Sequence, residues 1–124
     1  MSVKSDINNH GSSPMGYRER EIWLCNLGDN VGFEEDGKGN KFVRPVLIMR
    51  IYSRRFCHIV PLSTTDKRGR FYHEFDGGTG KISVALLSQS RSIDSFRLMR
   101  KIGIANKLDF DETRKQVADL LTGH

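Results

Sequence analysis

The sequence predicts a mainly β domain: a small, strongly bent sheet or barrel of five to six short strands, with one C-terminal helix. Three observations predict it. Short runs rich in Val, Ile, Leu and aromatic residues recur at close spacing between Glu21 and Ala105, bounded by Gly, Asn, Asp or Ser. Helical periodicity stands out in one place, near the C-terminus. A chain of 124 residues, 37% hydrophobic and 28% charged, suits one compact core rather than two.

The elements follow in order. Residues 1–16 (MSVKSDINNHGSSPMG) are rich in Ser, Asn and Gly with little to bury, so the chain divides into a flexible arm over 1–17 and a folded domain over 18–124. Glu21 to Leu27 is the first strand, ended by Gly28-Asp29-Asn30. Residues 28–41, with four glycines and several acids, form a long loop. Pro45 to Ser53 is almost continuously apolar and reads as a buried strand started by a proline, where a missing N–H is tolerated. Phe56 to Thr64 returns beside it after a turn at Arg54-Arg55. Thr65 to Arg70 is a basic loop, Phe71 to Asp76 a short strand, and Gly77 to Gly80 a turn. Lys81 to Leu87 is the next strand, with Ile82, Val84 and Leu86 on one face. Arg91 to Met99 is irregular or a short helix, and Arg100 to Ala105 the last strand. In the helix, Asp109 serves as cap with Glu112 as capping-box partner. Phe110, Thr113, Val117, Leu120 and Leu121 share a core or dimer-packing face, and Gly123 stops it.

Several function classes fall away. No run approaches the ~20 apolar residues of a membrane helix, and Met1 to Gly16 lacks the apolar centre of a signal peptide, so a cytoplasmic chain is the simplest expectation. Cys25 and Cys57 show no CxxC or zinc spacing. Two buried strand thiols are the expectation, with a disulfide left open. Gly37-Lys38-Gly39 is too short for a phosphate-binding loop, His10, His58, His73 and His124 form no ligand pattern, and no GxSxG is present. No metal or cofactor is expected.

The net charge of +5 is uneven. Residues 21–40 carry a net −4, while residues 41–72 carry a net +7. Such a basic block suits a polyanion, since each neutralised phosphate releases counterions; a solvated face would account for it equally well. If the two strands around Arg54-Arg55 pair as a hairpin, Arg44 and the hydroxyls Ser63 and Thr64 emerge at one end of the sheet, beside the acidic loop with Glu34 and Glu35. A carboxylate could take a proton, a guanidinium could meet charge on phosphorus, and a hydroxyl could orient an oxygen. The same spacing also fits a loop carboxylate paired with Arg44.

Six segments then follow one another in order: Glu21-Ile22-Trp23-Leu24, Val31-Gly32-Phe33-Glu34, Arg44-Pro45-Val46-Leu47-Ile48, Ile59-Val60-Pro61-Leu62-Ser63-Thr64, Leu87-Ser88-Gln89-Ser90-Arg91-Ser92-Ile93-Asp94 and Lys101-Ile102-Gly103. Over about residues 19–122 they resemble the MazF/PemK family of type II toxins. The resemblance implies a small homodimer with an SH3-like antiparallel barrel and a C-terminal helix. It implies cleavage of single-stranded RNA at short sequences without a metal, by 2′-hydroxyl attack that leaves a 2′,3′-cyclic phosphate and a 5′-hydroxyl. It also implies an acidic, partly disordered antitoxin lying in the RNA groove. Carried over by position, Arg44 is the phosphate clamp or acid, Thr64 with Ser63 the site hydroxyl, and Glu34 the base, with Glu35 next in line.

The RNA-facing residues would be Glu35, Lys41, Arg54, Arg55, Lys67 and Arg68, joined by Arg70, His73 and Arg91. The chain departs from the family pattern in a longer loop between Asp36 and Val43, in Glu35 for Gln, in Ser88 for an acid and in Phe33 for a histidine. The alternative is a non-catalytic module with the same fold, either a CcdB-like inhibitor of a protein or an RNA binder that has lost activity.

Overall fold

A computed structural model describes residues 16–29, 41–64, 68–69, 71–76 and 82–123. Seven strands precede one long helix: β1 Glu21–Asp29, β2 Lys41–Ile51, β3 Phe56–Ser63, β4 Tyr72–Asp76, β5 Ile82–Leu86, β6 Arg91–Asp94, β7 Leu98–Ile104 and α1 Lys107–Thr122. Short 3-10 turns, Leu87–Gln89 and Ser95–Arg97, flank β6.

All ladders are antiparallel, and the sheet order is β4-β5-β3-β2-β1-β7, with β6 also on β3. The mainly β class with a terminal helix is as expected, but the described residues form seven strands rather than five to six. The sheet curls without closing into the expected barrel. β6 pairs with β3 and β7 pairs with β1, and only Ser95–Arg97 separates the two strands in sequence. Among the described residues no ladder joins β6 to β7.

Both strand prolines sit where a ladder lapses. Pro45 lies inside β2 rather than at its start, opposite Leu24, and the β2–β3 pairs begin one residue later at Val46. Pro61 lies in β3 between the pairs to β6, which end at Ile59, and those to β5, which begin at Leu62. A residue without an N–H costs least where no partner strand asks for one.

Alternation along the central strands feeds two cores. Ile22, Leu47, Met49, Val60 and Leu62 face α1 and meet Phe110 and Val117. Trp23, Cys25, Val46, Ile48, Cys57 and Ile59 face inward, where Ile93 and Leu98 cover them. Both cysteines are free buried thiols. Tyr17, assigned to the arm, packs against this second core, and its hydroxyl donates to the Ser53 and Arg54 carbonyls at 3.2 Å each. Residues 1–15 lie outside the described residues.

Four local expectations change. The helix starts a turn earlier than expected. Asn106 is its cap, accepting from the Asp109 N–H at 2.8 Å while its amide donates to the Asp109 carboxylate at 2.9 Å. Asp109 is thus the partner, not the cap. Gly123 ends α1 at φ 83°, in the left-handed region that favours glycine. Leu121 is 77% exposed, and on β5 Ile82 is exposed while Ala85 is buried with Val84 and Leu86. The segment from Arg91 to Met99 contains β6, which takes its extended form from pairing with Phe56–Ile59.

Candidate functional site

β2 and β3 bring Arg44, Ser63 and Thr64 to one end of the sheet. Val46 pairs with Pro61, so the residues just before Val46 and just after Pro61 leave the ladder together. They line a cleft of about 350 Å³ with Val43, Pro45, Leu62 and Ser83. The Arg44 guanidinium donates to the Leu62 carbonyl at 3.4 Å, which turns it across the cleft floor. Ser83 of β5 adds a third hydroxyl. It enters because its neighbour Val84 pairs with Ser63, a register that the sequence alone does not reveal.

A second cationic group stands where β1 ends. Arg44 lies directly across the β1–β2 ladder from Cys25. Arg91 donates to the Leu27 carbonyl at 3.0 Å, and Arg97 donates to the Asn26 carbonyl at 3.2 Å. Asn26 in turn accepts the Gly28 N–H at 2.9 Å, and Gly28 sits at φ 109°. A side chain at Gly28 would be strained, and its Cβ would come 3.6 Å from the Arg97 guanidinium. Burial pushes the Cys25 thiol up to about 11, with Arg97 and Arg91 drawing it down. Burial likewise pushes Cys57 up to about 12. Neither thiol is poised as a nucleophile.

The remaining predicted site residues are placed elsewhere or lie outside the described residues. Arg54 and Arg55 lie beyond the opposite end of β3, whose span from Phe56 to Ser63 is about 23 Å at ~3.3 Å per residue. Arg55 forks onto the Asp94 carboxylate at 2.8 and 3.4 Å and lies 4.4 Å over the Phe96 ring. The Arg54 carbonyl accepts the Ser95 hydroxyl at 2.9 Å. His73 packs between β4 and α1, its Nδ1 3.2 Å from the Gln116 amide and its ring stacked on Phe75. Arg68 is exposed. Lys41 is described only as backbone at the start of β2. Glu34, Glu35, Lys67 and Arg70 lie outside the described residues, as does Phe33.

His58 is half-buried in β3, and burial lowers its imidazole below the usual range. It borders another groove, of about 300 Å³, that Leu121 and Tyr52 also line. Among the described residues no group of three or more His, Cys, Asp or Glu could hold a metal ion, and no helix is long and apolar enough to cross a membrane.

A curled antiparallel sheet, one terminal helix and an arginine-and-hydroxyl cleft at the sheet end describe a small β-rich fold with a polar site at one edge. Residues 18–121 match the family of PemK-like, MazF-like toxins of type II toxin–antitoxin systems, and the chain belongs to that family. Among solved structures it is similar to MazF from Deinococcus radiodurans (TM-score 0.65, 20% identity, covering 90% of this chain and 99% of that one). It is similar to the Mycobacterium tuberculosis toxin MazF-mt6 (0.62, 19%, covering 84% and 97%). A mycobacterial endoribonuclease solved with its cognate antitoxin also matches (0.61, 13%, covering 85% and 93%). At these identities the likeness is one of fold. No curated protein matches the chain.

Proposed function

We propose that this toxin is a sequence-specific, metal-independent endoribonuclease that cuts single-stranded RNA, messenger RNA included. The observation that carries the reading is the shared cleft of Arg44, Ser63 and Thr64. A phosphodiester seated there has its non-bridging oxygens at the guanidinium, whose planar fork binds two oxygens at once. The adjacent 2′-hydroxyl is the nucleophile. Its oxygen bonds to phosphorus, its proton passes to a base, and the bond from phosphorus to the 5′ oxygen breaks. That oxygen leaves as a 5′-hydroxyl once protonated, and the other product ends in a 2′,3′-cyclic phosphate. Arg44 stabilises the charge that builds on phosphorus and donates toward the departing oxygen, while Ser63 or Thr64 orients a phosphate oxygen. The base is Glu34, with Glu35 as second choice. Because the nucleophile belongs to the substrate and a fixed cation meets the charge, the step calls for no metal ion.

The wider RNA path uses basic residues at the Arg44 end of the sheet, Lys41 at the start of β2 and Arg91 at the end of β1 among them, rather than Arg54 and Arg55 at the turn. The toxin acts in the cytoplasm as a homodimer, and an acidic, partly disordered antitoxin neutralises it by lying against the same cations. The net +7 of residues 41–72 supports an acidic partner, and the Deinococcus radiodurans MazF is known in structures with MazE.

The test is incubation of the purified protein with a long single-stranded RNA in EDTA. Discrete fragments ending in 2′,3′-cyclic phosphate and 5′-hydroxyl are expected. RNA left intact, or fragments ending in 3′-hydroxyl and 5′-phosphate, would overturn the reading.

A further inference from the structure

The geometry points to Arg97, with Arg91 beside it, as a second phosphate-binding position on the RNA, held at the end of β1 next to the Arg44 cleft. The inference rests on the endoribonuclease reading and extends it to a residue outside the basic block of the sequence. Both guanidiniums are anchored, each by a single hydrogen bond to a neighbouring backbone carbonyl, Arg91 to Leu27 and Arg97 to Asn26. A carbonyl fixes a guanidinium without cancelling its charge, and a guanidinium carries five N–H donors, so most remain for another acceptor. Both residues are exposed.

Among the described residues no acid forms an ion pair with either of them. Asp94, whose carboxylate feels Arg97, is taken by the fork of Arg55. Each anchored cation, unpaired with a carboxylate among the described residues, keeps donors for an anionic oxygen. Their place at Asn26–Gly28, one to three residues along β1 from the partner of Arg44, puts that anion beside the first. A single strand offers a phosphate at every nucleotide, so one chain can reach both positions; one small anion would need only one of the two. Gly28 sits at φ 109°, which favours glycine, where the chain leaves the carbonyls that hold the two arginines.

The experiment titrates the full chain with a fully 2′-O-methylated single-stranded RNA, which lacks the nucleophile and stays intact. Binding is followed over a series of salt concentrations. In Arg97→Gln the side chain can still donate to the Asn26 carbonyl but the charge is gone. The slope of log K against log salt should then shrink by roughly 0.7, the share of one phosphate contact on a single strand, with the melting temperature unchanged. Arg97→Lys should restore the slope. Lys115→Gln, which removes the same charge from the exposed face of α1, should leave it as in the wild type. A wild-type slope in Arg97→Gln, or an equal loss in Lys115→Gln, overturns the assignment of Arg97 while RNA cleavage continues. Failure of the wild type to bind the methylated RNA even at low salt, together with failure to cleave RNA, removes the endoribonuclease reading and this inference with it.

Discussion

The β2–β3 hairpin carries arginines at both ends, and its two ends differ in what the arginines meet. At the turn, Arg55 is locked to the Asp94 carboxylate and stacked on Phe96, and the Arg54 backbone is tied to Ser95 and Tyr17. These contacts bind the turn to β6 and to the segment before β1. At the open end, Arg44 leans on a carbonyl and shares its cleft with Ser63, Thr64 and Ser83, while Arg91 and Arg97 lean on carbonyls of β1. A carboxylate partner uses up a guanidinium's charge, whereas a carbonyl partner orients it and leaves its field in place. The turn end ties strands together, while the open end gathers Arg44, Ser63, Thr64 and Ser83 in the cleft proposed for the phosphodiester.

The largest effect that could break this comparison is at Arg44. Arg44→Ala should lower RNA cleavage by roughly two to three orders of magnitude, the scale of losing one donor to the transition state, with the circular dichroism spectrum retained. Single-turnover cleavage of a labelled RNA reads it. Cleavage at the wild-type rate would mean that the cleft is not where the phosphodiester reacts.

The hydroxyls come next. Ser63→Ala and Thr64→Val should each cost up to roughly tenfold, because a neutral hydrogen bond contributes about 1 kcal/mol. The larger loss, read in the same assay, marks the hydroxyl that touches the phosphate. Equal small losses with raised KM and unchanged kcat would place both in binding alone.

The same division explains what could be read from the sequence. β1, β2 and β3 are legible because their alternate residues fill two cores, so nearly every position is apolar or turned to one side. The convergence of Arg44 with Ser63 and Thr64 is legible from the hairpin itself, which the short turn at Arg54-Arg55 dictates. β6 is not. Of its four residues only Ile93 is buried, and Arg91 and Ser92 look like loop until β3 offers them a ladder. The start of α1 is missed because Leu108 is 83% exposed and breaks the apolar rhythm, while Asn106 and Asp109 are equally good caps on paper. Arg97 is missed for a different reason. Segment charge singles out the +7 block, and Arg97, beyond it and close to Asp94, joins the Arg44 end only through the curl of the sheet that lays Leu98 against Cys25. The separation of Arg54 and Arg55 from Arg44 follows from strand length, but a list of positive charges hides it.

The smallest effects sharpen the comparison from the turn end. Arg55→Ala should leave cleavage within about twofold of wild type, since an exposed ion pair contributes little and its charge is already matched. A loss as large as that of Arg44→Ala would move the reacting phosphate to the turn.

Asp94 tests the same pair through stability. The Arg55 hydrogen bond, then the Phe96 N–H, hold its carboxyl below the usual range. A carboxyl with a depressed native pKa contributes stability that is fully present above its unfolded value, near ~3.9. That contribution disappears as pH falls through the lower native value. In Asp94→Asn the amide oxygen can still accept the Phe96 N–H, so the substitution removes chiefly the charge. Its melting temperature should lie slightly below wild type at neutral pH, with the gap constant down to about pH 4 and closing below it. A gap that persists unchanged into acid would show that Asp94 acts at the turn through its shape and cap. The charge of the Arg55–Asp94 pair would then add nothing measurable at the turn, and the contrast between the two ends would rest on position alone.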